Sequence, residues 1–254
     1  MIMTDNTISS LSAEALSIGK RIKGLRDFLD ILKENDQLVS WPNAVMPEPD
    51  IRNISVASGR DVMNGPAVMM AQVVGYPGKR IVIGVHGSFT NLALLLGFPK
   101  GTTTKELFFE VVDRWKGGAA LIDRVAPDDA LVHSNRIEKE INLYDLLPLY
   151  RINEYDGGFY IDKANVVSRD PTDPENFDKQ NVGIYRIQVH GPDSFSLDAV
   201  PSHDMGQHIR LAEESGKKLK IAVMIGNHPA MAMFAATPLH YDESEFAYAS
   251  QMMG

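Results

Sequence analysis

His203 and His208 are the nearest pair among seven histidines, and cysteine is absent, so any chemistry in this chain is limited to nitrogen and oxygen donors. Without thiols there is no disulfide framework, no thiolate zinc site and no cysteine nucleophile. A metal would have to be held by His, Asp, Glu or Asn. The five-residue spacing of His203 and His208 puts them off a common helical face, where paired ligands sit three or four apart. GxGxxG, GxxxxGK[ST], GxSxG and HExxH do not occur, so neither a dinucleotide fingerprint, a phosphate loop, a nucleophile elbow nor a zincin helix is available.

Three other polar positions have competing readings. In the strand NVGIYRIQVH the apolar residues Val182, Ile184, Ile187 and Val189 alternate imperfectly with Asn181, Gly183, Arg186 and Gln188. The polar face reads as a solvated sheet face, with a ligand cavity beside the Gly183 gap as the alternative. His203 in PSHD lies between a strand and a helix, where Ser202 or Asp204 would be the N-cap, and reads as a helix-end hydrogen bonder or a ligand. Glu245 in DESEFAYAS sits in a first helical turn, where the macrodipole favours a carboxylate without any function. Met224, Met231 and Met233 read as core fillers.

The elements that must position these residues are legible from periodicity. Ile22, Leu25, Phe28, Leu29 and Leu32 give an amphipathic helix. QLVSW at 37–41 is a short strand, Asp50 to Val62 a weaker helix, and AVMMAQVV and RIVIGV are strands joined by GYPG. Ser88 caps a helix reaching Leu96, and Thr103 and Glu106 form a capping box for a helix burying Leu107, Phe108, Val111 and Val112. After Gly117-Gly118 the character changes to short strands and turns over 119–150. Strands follow in FYIDKANVVS, NVGIYRIQVH, FSLDAV and KLKIAVMIG, with helices from Asp204 to Glu214, through Met231 to Ala235, and from Asp242. The expected organisation is a flexible leader over 1–17, an N-terminal α/β domain over 18–118 and a strand-rich domain over 119–254.

Composition bounds the partners. In 254 residues, 44% are apolar, enough for a core. Lys plus Arg number 25 against 33 Asp plus Glu, a net charge of −8 with the cations scattered, which argues against nucleic acid or an anionic membrane. No apolar run approaches a membrane span and Met1 opens no signal segment, so the cytoplasm is the expected compartment.

NLYDLLPLYRINEYDGGFYIDKANVVSRDP, QNVGIYRIQVHG, AVPSHD, AVMIGNHPA and AATPLHYDESEF resemble, in order and spacing, the UbiD-like decarboxylase family, closest to its 4-hydroxybenzoate and vanillate type. GLRDFLDILKENDQLV and GSFTNLALLLGFPKGT agree with that family's opening segment, so the resemblance runs from about residue 24 to 250. It implies a reversible, non-oxidative decarboxylation of a hydroxylated aromatic acid with prenylated FMN, a divalent metal such as Mn²⁺, and a monovalent cation such as K⁺. The implied fold of the second half is part of a split β-barrel related to flavin reductases. Carried over by residue, Asn181, His203 and Glu245 hold the metal. Ile184, Tyr185, Arg186, Asp198, Ala199, Val200, Ser202 and Asp204 line the flavin. Carbonyls near Ala235 and Thr237 face the monovalent cation, and Arg186 is the catalytic arginine, suited to bidentate pairing with a carboxylate.

The resemblance also implies homo-oligomers, small companion subunits and a flavin prenyltransferase supplying the cofactor. The family's arginine works with two glutamates from a segment beyond the region that matches, and the sequence ends at SQMMG before it. Two expectations follow. In one, the chain is the N-terminal portion of an enzyme and is inactive by itself, with apolar surface and sheet edges exposed. In the other it is a non-catalytic module, at most a weak flavin or metal binder; a split subunit completed by a second chain lies between them.

Overall fold

The amphipathic helix over Leu25–Glu34 (α1) turns Phe28 and Leu32 inward as the sequence spacing predicts, together with Ile31, while Leu25 and Leu29 are half-buried and Ile22 precedes the helix. The computed structural model of the chain describes residues 15, 17–120 and 122–253. Nearly all of the expected leader over 1–17 lies outside the described residues; of it, Ala15 is buried in the core.

Behind α1 lies a mixed sheet of β1 (Leu38–Trp41), β2 (Ala67–Met70) and β3 (Ile81–Ile83). β1 runs parallel to β2, and β2 antiparallel to β3. The β2–β3 connection places Gly75 and Gly78 at positive φ, a conformation other residues resist, which is why GYPG makes the turn. The weak helix between β1 and β2 is shorter than expected, Arg52–Ser58 (α2). Helix α3 (Phe89–Leu95) is capped by Ser88, whose Oγ accepts the Asn91 N–H, and packs Leu94 and Leu95 on Phe28 and Leu32.

Helix α4 (Thr104–Trp115) carries the expected capping box, with Thr103 and Glu106 bonded reciprocally. Its buried stripe differs from expectation. Leu107 is inside, but Phe108 is 62% exposed, and Glu110 and Arg114 are buried instead. Positions 107, 110 and 114 lie three and four apart and share one face; 108 is turned away. Arg114 is satisfied there: it donates to Glu110 Oε1 at 2.8 Å, to the Leu96 carbonyl at 3.0 Å and to the Met252 carbonyl at 2.9 Å.

No strand forms between residues 119 and 150 among the described residues. That stretch holds one turn of 3₁₀ helix at Leu131–His133 and the short helix α5 (Leu143–Leu146). Leu131 and Val132, in that turn, are 88% and 78% exposed.

Two segments read as single strands are each cut in two. FYIDKANVVS becomes β4 (Phe159–Ile161) and β5 (Asn165–Arg169), and NVGIYRIQVH becomes β6 (Gln180–Gly183) and β7 (Arg186–Gly191). β7 pairs with β4 and with β8 (Ser194–Asp198); β5 pairs with β6 and with β9 (Ile221–Met224). The chain changes sheet at Ile184 and Tyr185, which explains the imperfect alternation across them. The described residues thus form three three-stranded sheets and no closed barrel, because the two sheets of the second half share no ladder.

Helix α6 (Asp204–Glu214) matches its expected span, α7 covers Met231–Phe234, and α8 covers Glu245–Met253, starting later than Asp242. One face of β5 meets α6 through Val166 and Met205. On its other face Val167 joins Met231, Phe234, Ala249 and Met252 in a core cluster shared with Ala93, Leu96 and Leu107 of the first half. Polar contacts add to this junction: His228 Nε2 donates to the Ile22 carbonyl and His86 Nε2 to the Pro229 carbonyl, each at 2.8 Å. No helix among the described residues is long and apolar enough to cross a membrane.

Arg114→Met should remove the cation beside Glu110 and the donor to two buried carbonyls, and lower stability by about 3 kcal/mol, read as a fall in the urea midpoint. Burial lowers His86 from its ordinary value to about 4, with Lys163 lowering it further. The folded value lies below the unfolded one, so the stability this neutral imidazole contributes is complete above about pH 6.5 and lost as pH falls through 4. The thermal midpoint should fall over that window, and less so in His86→Gln.

Candidate functional site

Where the chain leaves β6 for β7, a cavity of about 460 Å³ opens against the N-terminus of α6. Four segments build it: 181–185, 202–204, 235–239 and Glu245. β6 is the edge of its sheet, so its outer N–H groups have no strand partner. Glu245, the first residue of α8 and 4% exposed, fills that need: its Oε2 accepts the Val182 N–H at 3.0 Å.

This carboxyl is costly to ionise. Burial pushes it up to about 7, the N–H groups of Glu245 itself and Val182 pull it back, and Asp204 pushes it further. Asp204 is itself held above the usual carboxylate range by burial, with His208 and His203 opposing. Neither acid is paired with a lysine or arginine among the described residues. Asn181 and His203 line the same cavity, and the Asn181 amide donates to Tyr185 Oη at 3.0 Å. Burial raises the Tyr185 phenol. His203 occupies the N-cap position of α6 with no side-chain capping bond, so neither Ser202 nor Asp204 takes that place.

The cavity gathers Asn181, Ile184, Tyr185, Ser202, His203, Asp204 and Glu245, together with Ala235 and Thr237. It does not gather Arg186, Asp198, Ala199 or Val200. Arg186 is the residue after Tyr185 but already belongs to β7; it is exposed, stands opposite Asp198 in the β7–β8 ladder, and lays its guanidinium over the Tyr160 ring at 5.4 Å. Val200 is 46% exposed. No cluster of three or more His, Asp or Glu forms a metal site among the described residues; the expected set has two residues of those types and Asn181 as the third.

Sequence reasoning passed over Val182, Ala236, Pro238 and Leu239, which complete the walls. Gly183 was noted only as a gap. A Cβ there would lie 2.5 Å from the Tyr185 ring, so the glycine is what lets that ring fold back to Asn181. A second cavity of about 570 Å³, between Trp41, Ile54 and Pro66 in the first half, contains none of the expected residues.

The donor set suits a cation. The buried Glu245 carboxylate, the His203 imidazole and the Asn181 amide oxygen are hard or borderline ligands, a fit for Mn²⁺ rather than for a thiophilic ion. Apolar walls from Ile184, Pro238 and Leu239 beside this polar end suit an aromatic cofactor carrying a phosphate.

An α/β protein with an acid-lined pocket at a change of sheet is the class that fold and cavity define. Its family is shown by comparison: residues 29–111 match the 3-octaprenyl-4-hydroxybenzoate carboxy-lyase N-terminal domain, and residues 123–254 match the 3-octaprenyl-4-hydroxybenzoate carboxy-lyase Rift-related domain. The chain belongs to this UbiD family of carboxy-lyases. It is 43% identical over 229 residues to a phenolic acid decarboxylase of Bacillus subtilis (strain 168), covering 90% of this chain and 48% of that protein. The closed form of Sedimentibacter hydroxybenzoicus vanillic acid decarboxylase superposes with a TM-score of 0.88 at 42% identity, covering 91% of this chain and 48% of the other. An evolved dimeric form of the UbiD-class enzyme HmfF from Pelotomaculum thermopropionicum, in complex with prFMN, gives 0.79 at 26% identity, over 91% of this chain and 50% of the other. The chain spans about half the length of the curated relatives it matches.

Gly183→Ala should drive the Tyr185 ring off Asn181 and toward solvent. In ultraviolet titration one tyrosine should then return to the ordinary phenol range, a change that Tyr185→Phe removes.

Proposed function

We propose that this chain supplies the prenylated-FMN and metal site of a carboxy-lyase acting reversibly on a hydroxylated aromatic acid of the 4-hydroxybenzoate, vanillate or 3,4-dihydroxybenzoate class. One observation carries the reading: Glu245, buried and without a cationic partner, shares a cavity with Asn181, His203 and Asp204. A divalent ion held by Asn181, His203 and Glu245 would offset the mutual repulsion of the two acids and would bind the cofactor phosphate in an otherwise acidic pocket. The relatives' names, phenolic acid and vanillic acid decarboxylase, support the substrate class.

When bound, prenylated FMN supplies the electron sink for breaking the bond between ring and carboxylate. The chain's own residues do the rest. Ile184, Pro238 and Leu239 exclude water from the flavin face, and Tyr185, held by Asn181, closes the side next to the metal end. Carbonyls near Ala235 and Thr237 take a monovalent cation such as K⁺. Arg186, one residue outside the cavity and fully able to fork two N–H groups onto a carboxylate, holds the substrate acid at the mouth, beside Asp198, Ala199 and Val200. The strand-rich half is taken as the split-barrel cofactor domain. Homo-oligomerisation, companion subunits and a prenyltransferase that delivers the flavin belong to the same proposal.

With Glu245 given to the cation, the proton that replaces CO₂ would come from a group outside this cavity. Purified 254-residue chain incubated with Mn²⁺ and prenylated FMN should therefore retain both through gel filtration, seen by manganese resonance and flavin absorbance, and release no CO₂ from 4-hydroxybenzoate. Glu245→Gln should weaken Mn²⁺ binding by at least about tenfold. Equal retention by wild type and variant would overturn the metal assignment, and CO₂ release by the chain would overturn the placing of the proton donor.

A further inference from the structure

Ser168 and His208 are polar side chains only 1% exposed that the proposed chemistry does not use. Ser168 Oγ and His208 Nδ1 lie 2.8 Å apart in a buried hydrogen bond. Ser168 stands opposite Asn181 in the β5–β6 ladder, and His208 is on α6, five residues after His203 at that helix's N-cap. The bond therefore ties the strand pair that carries Asn181 to the helix that carries His203.

The same imidazole reaches the third element. Its ring meets the Tyr241 ring edge-on, with centroids 5.6 Å apart. Tyr241 is four residues before Glu245, and its hydroxyl donates to Asp170 Oδ2 at 2.9 Å. Asp170, just beyond β5, is further held by the Thr172 N–H and hydroxyl at 2.8 and 2.6 Å. Strand β5 thus grips α6 through Ser168 and the approach to α8 through Asp170, with His208 packed between the two grips. His208 Nε2 has no partner of its own, an unusual expense for a residue serving only to fill space. A leucine would fill the volume without leaving a buried nitrogen unpaired.

We propose that His208 is a positioning residue: through Ser168 and Tyr241 it sets the mutual geometry of Asn181, His203 and Glu245. The proposal rests on the reading of those three as the metal-holding set. Coordination tolerates displacements of only about half an ångström, so a loosened α6 or 241–245 segment is felt at the ion before it is felt in the fold.

The test is Mn²⁺ affinity of the 254-residue chain, measured by the resonance of free Mn²⁺, in wild type, His208→Leu, His208→Asn and Ser168→Ala. His208→Leu and Ser168→Ala should each weaken binding by about tenfold, and the pair together by no more than either alone. His208→Asn, whose amide reaches the position of Nδ1, should recover most of the loss, a rescue that mere filling of volume does not give. Wild-type affinity in either Ser168→Ala or His208→Leu overturns the proposal, as does equal weakening in the leucine and asparagine variants. Should His208→Leu not fold, Ser168→Ala decides alone. A wild type that binds no Mn²⁺ overturns the metal reading and this proposal with it, whereas a wild type that binds and a Ser168→Ala that binds equally well overturns this proposal only.

Discussion

The second half of the protein is arranged around a carboxylate bonded to the free edge of a sheet. Glu245 accepts the Val182 N–H where β6 has no neighbouring strand. An unpaired N–H inside a protein costs about 1–3 kcal/mol, and a buried carboxylate costs more unless it is bonded or paired. Each group lessens the other's penalty only if the N-terminus of α8 is docked against β6. A helix N-terminus is also where backbone N–H groups and the macrodipole favour a negative side chain. Part of the penalty remains, since burial still holds the carboxyl up at about 7, and the cation proposed for the cavity would relieve it.

Docking α8 there requires support at its far end, and the first half of the chain provides it. Arg114 of α4 donates to the Met252 carbonyl in the last turn of α8, and Trp115 stacks on Phe234 and leans on Tyr248 at centroid distances of 5.9 and 4.8 Å. Ala249 and Met252 pack in the cluster that also holds Leu96 and Leu107. The cavity is thus a property of both halves: strands of the second place Asn181 and Tyr185, and helices of the first hold the element that brings Glu245.

Local signals in the sequence were sufficient where the structure itself is local. The Thr103–Glu106 capping box, the Ser88 cap, the GYPG turn and the span of Asp204–Glu214 depend on contacts within a few residues, and each was legible. Phe108 was misplaced because hydrophobicity alone assigned the buried face of α4, whereas Arg114 is inside through bonds to Glu110 on its own helix and to Leu96 and Met252, 18 and 138 residues away. NVGIYRIQVH read as one strand because nothing in ten residues announces that Asn181 and Gln188 pair with different partners. Gly183 was the one clue, and its meaning required knowing that the Tyr185 ring folds back over it.

By themselves, the residue types settled the kind of donor available, nitrogen and oxygen without sulfur, and the order of motifs carried the family resemblance and the names of the residues proposed to hold the metal. What the tertiary structure decided is which of the named residues share a space. Asn181, His203 and Glu245 meet because an edge strand, a helix N-cap and a second helix N-terminus converge, while Arg186 and Asp198 fall on the neighbouring sheet at the rim. The spacings between the first three, 22 and 42 residues, span separate elements, so no periodicity could place them together. Only the pairing of β5 with β6, and the burial of one carboxylate against an unpaired N–H, brings them into one cavity.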